Sequence, residues 1–473
     1  MTQQPLLIDF ETQSEVSIND PDYTIHESTK ILCMSWGFKG AEGHLYWAGE
    51  PVPQEIIDHI KAGGMVGASY ARFDREIWDL GVFDFDFPAT DFEQWFCTQA
   101  QARTAGLPSS LDNSARAAGI SQRKTASGKG LITKCSIPPF SEDPQDYADL
   151  GSYCLQDWVV MDEVARVIPD LTDDAQCDYL ANERINNRGI KVDLPLVIAA
   201  QKYAIEERDA INKQIAYLSS EPDPKNPDGD WIPRITKHTQ YARLTKYFIE
   251  IFEESDNKDA LKLMSRYKTD EATGKSVKKY STDKEVRTNL LDAYYAEEID
   301  LDNEVVELIE LMNDAGGTAV AKYEKMEMKA DPEDHRVRGI LRYAGAPSTL
   351  RYTSLTLQVH NMRRDAFDYD KAEFIIKQIL KGEELKDIKG EKLNVMDTLA
   401  RLLRAAIIPE DNHILVVNDW SSVESRMTAY LAGDNTKLDV FRSGQDVYCY
   451  AAEGIYGKKI TKKENPFRIV TGK

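Results

Sequence analysis

The run Leu7-Ile8-Asp9-Phe10-Glu11 sets two carboxylates at i and i+2 in an otherwise apolar stretch. In a strand those positions share a face, so Asp9 and Glu11 converge. Adjacent carboxylates repel unless a cation sits between them, and hard oxygen ligands suit magnesium or manganese. The same pair also fits an edge strand with solvated acids. Asp74, in GASYARFDREIW, follows a short apolar run at the start of a helical pattern, where an acid also simply complements the helix dipole. Tyr153 and Asp157 stand at i and i+4 on one helical face, a spacing that equally suits a surface hydrogen bond. Each signal alone is weak. In this order they describe a carboxylate cluster that could hold divalent cations beside a tyrosine hydroxyl.

A second group lies far downstream, in ILVVNDWSSVESRMTAYLAGD. Ile414–Val417 read as a buried strand that ends at Asp419, and a helical pattern carrying Glu424 and Arg426 starts at once. Ser421 and Glu424 also have the spacing of a capping box, with Ser421 as N-cap. Between the two groups, the window from His335 to Arg364 holds six arginines (Arg336, Arg338, Arg342, Arg351, Arg363 and Arg364) and no acidic residue. It is either a chance cluster on a solvated face or a surface that tracks phosphates, for which the guanidinium fork is suited. Gln358, His360 and Asn361 interleave with the arginines, and amide side chains can read base edges while arginines hold the backbone.

The elements that must position these residues follow from pattern. LLIDFET, KILCMSWGF, HLYWAGE and MVGAS read as strands; PQEIIDHIKAG, RFDREIWDL, EQWFCTQAQARTAG and PQDYADLGSYCLQDWVVMDEVARVI read as helices. Residues 1–170 are therefore an α/β layer with a mixed sheet and helices on its faces. Residues 171–332 are long helical patterns interrupted by SSEPDPKNPDGDW, a turn-rich surface loop by its Pro, Asp and Gly content. From His335 the pattern turns strand-like, and MDTLARLLRAAI then forms an amphipathic helix. A chain of 473 residues is too long for one ordinary core. The net charge of −21 argues against a protein coated non-specifically in nucleic acid, while leaving room for a local basic groove. The six cysteines form no C-x-x-C pair and read as reduced thiols of a cytoplasmic protein. No tract is long and apolar enough to imply a membrane.

Asp9, Glu11, Asp74, Tyr153 and Asp157 together resemble the D-x-E, (F/Y)-D and Y-x-x-x-D motifs of the DEDDy proofreading 3′→5′ exonucleases, with Tyr70 where many relatives place Asn. The resemblance implies an RNase H-like fold and two Mg2+ or Mn2+ ions held by Asp9, Glu11, Asp74 and Asp157. It gives Tyr153 the attacking water, and makes SLDNSARAAGI a helix facing single-stranded 3′ ends. NDWSSVESRMTAYLAGD is similar to motif A of family A DNA polymerases, of the compact phage type. That likeness makes Asp419 a metal-binding palm aspartate and Glu424 the residue beneath the incoming sugar, supported by Arg426. INNRGIKVDL resembles the family's junction between exonuclease and polymerase regions. Thr349-Leu350-Arg351 and Gln358-Val359-His360-Asn361 resemble its T-G-R and L-Q-N segments, which implies primer–template contacts by Arg351, Gln358, Asn361 and Arg364. Leu350 stands where the family has glycine.

The expected architecture is thus an exonuclease domain (1–170), a helical thumb-like arm (171–332) and an incomplete α+β palm with the start of the fingers (333–473). Arg468 and Lys473, five apart where the family spaces R-x-x-x-K, match its grip on the incoming dNTP. With no H-D-E segment after motif A, the expectation is a replicative polymerase site finished by a separate C-terminal fragment. A stand-alone exonuclease and a non-catalytic DNA-binding protein are the alternatives. The phage resemblance places such a protein in the host cytoplasm.

Overall fold

β1 (Leu6–Gln13) is buried along nearly its whole length and lies at the centre of a five-stranded sheet. The structure, a computed structural model, describes residues 4–461 apart from 19, 21–22, 126–127, 224, 270–275 and 318. The other strands are β2 (Lys30–Phe38), β3 (His44–Trp47), β4 (Val66–Ala68) and β5 (Trp95–Cys97), in the order β3-β2-β1-β4-β5. β1 pairs antiparallel with β2 and parallel with β4, so Ile8 has Trp36 on one side and Ala68 on the other. With both edges filled, the backbone of this buried strand is satisfied. α1 (Gln54–Lys61) and α2 (Ala71–Asp84) make the connections that the parallel strands β4 and β5 require.

The sequence pattern runs 93–106 together as one helix, whereas Trp95–Cys97 form β5 and α3 (Thr98–Thr104) starts after it. Three apolar residues buried on both faces show no alternation by which a strand is recognised. Gly67 makes the close pairing possible: a Cβ there would lie 2.2 Å from the Phe96 ring.

An aromatic cluster of Phe10, Tyr46, Trp78, Phe87 and Trp95 fills one face of the sheet. After α4 (Leu111–Ala117) and α5 (Gly128–Ser136), the other face receives α6 (Pro144–Val167), which packs Trp158, Met161 and Ala165 against Leu7 and Phe96. Proline at its first position and Asp143, whose side chain accepts from Gln145 N, start this helix. Trp158 locks it in place. Its indole N–H donates to Leu7 O at 2.9 Å, and a Cβ on Gly37 or Gly43 would lie 2.5 or 2.3 Å from its ring.

Beyond residue 171, helices such as Leu194–Leu218, Tyr241–Glu254 and Asn303–Ala315 build a separate core around Ile215, Phe248, Ile309 and Tyr323. Leu399 and Leu402 of helix Val395–Leu402 belong to the same core. The segment read as a turn-rich loop is instead a hairpin, Ser220–Asp223 against Asn226–Pro233. The Asp223 carboxylate accepts from Lys225 N at 2.8 Å, so the turn-forming residues close a ribbon. Among the described residues, the strand-like region after His335 forms short pairings, Arg336–Val337 with Ile190–Lys191 and Leu341–Arg342 with Thr353–Ser354, and a single bridge of Val337 with Ala330. Among the described residues no helix is long and apolar enough to cross a membrane.

Residues Met1–Ile408 form one compact unit and Pro409–Lys473 a second. The second contains helices Val423–Leu431, Asn435–Arg442 and Val447–Tyr456. Ile414–Val417, expected as a buried strand, is not one. The segment joins no ladder among the described residues, and Val417 is 88% exposed. An apolar run becomes a buried strand only when a neighbouring strand takes up its backbone groups.

Candidate metal centre

Asp9 and Glu11 lie two residues apart on β1, next to a register shift between Glu11 and Thr12. Their carboxylates and the Cys154 sulfur lie within 4.8 Å of one another. Asp74 sits in the first turn of α2, and its Oδ1 accepts from Phe10 N, the residue between the two β1 acids, at 3.4 Å. Tyr70 is the N-cap of that helix and makes no side-chain capping bond. Tyr153 and Asp157 come from α6, with Asp157 directly before the anchoring Trp158. Gly128 lets α5 press on the Tyr153 ring, since a Cβ there would come within 2.2 Å of it. Fold elements 150 residues apart in sequence thus bring all five expected residues to the central strand.

The electrostatics are those of crowded, buried acids. Burial, then repulsion from Asp74, Asp157 and Glu11, holds the Asp9 carboxyl well above its ordinary range. Burial and Asp157 push Glu11 up to about 8. Burial raises Asp74 to about 7, opposed by hydrogen bonds from backbone amides, Phe10 N first. Asp157 is raised by burial and held down by Lys124, whose Nζ lies 2.5 Å from its Oδ2. Burial and the neighbouring Asp157 raise the Tyr153 hydroxyl, which stays protonated at neutral pH.

This donor set fits hard divalent cations. Four carboxylates converge, each driven toward neutrality in a way that a bound cation reverses. The buried Oδ1 of Asp157 has no hydrogen-bond partner among the described residues, so an acceptor is available. Cys154 is not a natural member of an oxygen set. Its thiol is directed at Asp9 O (3.4 Å) and Ser35 Oγ (3.3 Å), and burial keeps it protonated. Lys124, Cys154 and Trp158 are absent from the residues expected from sequence. Nothing in the spacing of QRKTASGKG points Lys124 at a helix 30 residues later, whereas Trp158 could have been suspected as the apolar neighbour of Asp157.

The downstream residues are differently placed. Asp419 and Glu424 are exposed. Ser422, in the left-handed region at φ 56, is the N-cap of helix Val423–Leu431, and no side chain caps it. The N-cap is thus Ser422 and not Ser421, and Glu424 is the second residue of the helix. Arg426 donates through Nε to Ser421 O at 2.9 Å and lies 4.4 Å from the Phe441 ring centroid. Arg468 and Lys473 lie outside the described residues.

The arginine window divides. Arg338 pairs with Asp331 and Asp334, and Arg363 with Asp365 and Asp397. Arg336 donates to the carbonyls of Arg188 and Gly189. These three are engaged by groups outside the acid-free stretch, some beside it and some far along the chain, so the window does not present six arginines to a ligand. Arg342, Arg351 and Arg364 are exposed, as are Gln358 and Asn361. Leu350 takes φ 53, the left-handed conformation that glycine adopts freely.

No family model matches the sequence. The DNA polymerase of Bacillus phage SP02 is 26% identical, over 94% of this chain and 64% of its own length. The thermostable DNA polymerase I of Thermus thermophilus is 33% identical over 67 residues, 14% of this chain and 8% of that enzyme. Among solved structures, the POL domain of Pol1 from M. smegmatis, in complex with DNA primer-template and dNTP, superposes with a TM-score of 0.52 at 12% identity. It covers 99% of this chain and 66% of that one. In sequence the chain is thus similar to DNA polymerases, along most of its length to the phage enzyme and over a short stretch to DNA polymerase I. It spans just under two thirds of the length of the phage SP02 enzyme.

Proposed function

We propose that the sheet region of this chain is a metal-dependent 3′→5′ exonuclease that proofreads for a DNA-directed DNA polymerase in replication. The observation that carries the reading is the convergence of Asp9, Glu11, Asp74 and Asp157 on one buried strand, with an Asp157 oxygen left unpartnered. Two Mg2+ or Mn2+ ions would supply Lewis acidity at this site, and Asp9, Glu11, Asp74 and Asp157 would hold them. Tyr153, kept protonated and wedged against Gly128, orients the attacking water through its hydroxyl.

The proposed division is an exonuclease domain over 1–170, a thumb-like arm over 171–332 and palm sequence from 333. Arg351, Gln358, Asn361 and Arg364 contact the primer–template from their exposed positions. Asp419, Glu424 and Arg426 belong to the metal- and dNTP-binding part of a polymerase site. All five exonuclease residues fall within the Met1–Ile408 unit and Asp419 within the other. The test is hydrolysis of 5′-labelled single-stranded DNA in Mg2+. The expected result is a ladder of progressively 3′-shortened products, absent with EDTA and with Asp9→Ala. Undiminished metal-dependent shortening by Asp9→Ala would refute the assignment.

A further inference from the structure

Lys124 lies between α4 and α5, in a segment without regular structure that is tied to the catalytic helix. Gln156, the residue before Asp157 on α6, donates through Nε2 to Arg123 O at 3.0 Å. Tethered this way, Lys124 brings Nζ to 2.5 Å from Asp157 Oδ2, and 5.4 Å from the Tyr153 ring centroid. The Lys124 side chain is 34% exposed and that of Asp157 only 5%. The ammonium therefore covers the buried carboxylate from the solvent side.

A buried carboxylate needs a countercharge, and losing that partner is costly. Lys124 also offsets the negative field at Asp9 and Glu11, so it serves the whole cluster and not one ion pair. The ammonium sits on Oδ2 and leaves Oδ1 of the same carboxylate without a hydrogen-bond partner among the described residues. A divalent cation taken up by Oδ1 would stand beside the ammonium, and the two positive charges repel.

We propose that Lys124 is a built-in counter-ion that competes with divalent cations for Asp157, keeping the carboxylate cluster charge-balanced until metal displaces it. This rests on the reading of the cluster as a metal centre. Two effects of opposite sign follow from it. Without metal, removing the lysine charge exposes the acids to one another and loosens the fold. With metal, the same change removes a competitor and tightens binding. A lysine that merely shaped the site would weaken metal binding when removed.

The test is calorimetric titration of the full chain with Mn2+, paired with thermal unfolding with and without Mn2+. It compares wild type, Lys124→Met, Lys124→Gln, Lys124→Arg and Asp157→Asn. Lys124→Gln keeps a hydrogen-bond donor toward Asp157 and guards against misfolding of the methionine variant. Lys124→Met and Lys124→Gln are expected to bind Mn2+ about tenfold more tightly than wild type, as expected from loss of a partly buried ion-pair competitor. Both should also melt lower without metal and gain more from it, whereas Lys124→Arg should stay close to wild type. Unchanged or weaker Mn2+ binding by both neutral variants, with wild-type binding abolished by Asp157→Asn, would overturn the competition and leave the metal centre intact. Wild-type Mn2+ binding that is absent, or insensitive to Asp157→Asn, would overturn the metal centre and this proposal with it.

Discussion

Replacing Glu11 by Gln should stabilise the metal-free protein at alkaline pH, against the usual outcome of altering a buried residue. Glu11 is 9% exposed and its carboxyl is pushed from an ordinary 4.5 up to about 8, by burial first and by Asp157 next. Because the folded state holds this proton more tightly than the unfolded state, stability is full below about pH 4.5. It is lost as pH rises toward about 8, at about 1.4 kcal/mol per pH unit. The whole span corresponds to about 4–5 kcal/mol, and because Asp9 and Asp74 share the same field, neutralising Glu11 alone should recover about 2 kcal/mol. That is a rise of about 4–8 °C in the melting of a domain of this size. The assay is thermal unfolding in EDTA at pH 5 and pH 8.5. The variant should match wild type at pH 5 and melt higher at pH 8.5. Saturating Mn2+ should erase the advantage at pH 8.5, since Gln is a poorer ligand than a carboxylate. An equal shift at both pH values, or a lower melting point at pH 8.5, would refute the reasoning.

Trp158→Ala should cost about 3–5 kcal/mol, the range for emptying a buried aromatic site, because the indole both fills the space beside Gly37 and Gly43 and bonds to Leu7 O. Denaturant unfolding followed by circular dichroism reads this, and a loss below about 1 kcal/mol would contradict the anchoring role of α6. Leu350→Gly should stabilise by about 1 kcal/mol by relieving a left-handed leucine, and a lowered melting temperature would show that the leucine side chain matters more than its backbone. Replacing Arg351 and Arg364 together by Ala should weaken primer–template binding in fluorescence anisotropy and reduce the slope of log K against log salt by about 2. An unchanged slope would leave these exposed arginines without a phosphate role.

The carboxylate centre was legible because its signals are local: the i, i+2 pair on a strand, the acid at a helix start and the i, i+4 pair each declare a face. The long α6 was equally legible, since Pro144 and its N-cap mark the start and 24 residues of helical pattern follow. β5 was not, because a three-residue apolar run between helical patterns is ambiguous by periodicity alone. The arginine window misled in part. Charge counted along the chain missed Asp331 and Asp397, which reach into it through space. Ile414–Val417 failed for another reason, since strand formation depends on partners that an apolar run does not itself contain. Lys124 could not have been found by spacing, because only the fold of the α4–α5 segment carries it to Asp157.

The most direct measurement of the central claim is an anomalous-diffraction map of crystals of the full chain soaked in Mn2+. The account predicts manganese peaks bonded to carboxylate oxygens of Asp9, Glu11 and Asp157, with Lys124 withdrawn from Asp157. Manganese found only elsewhere on the molecule, with Lys124 still against Asp157 at saturating Mn2+, would contradict it.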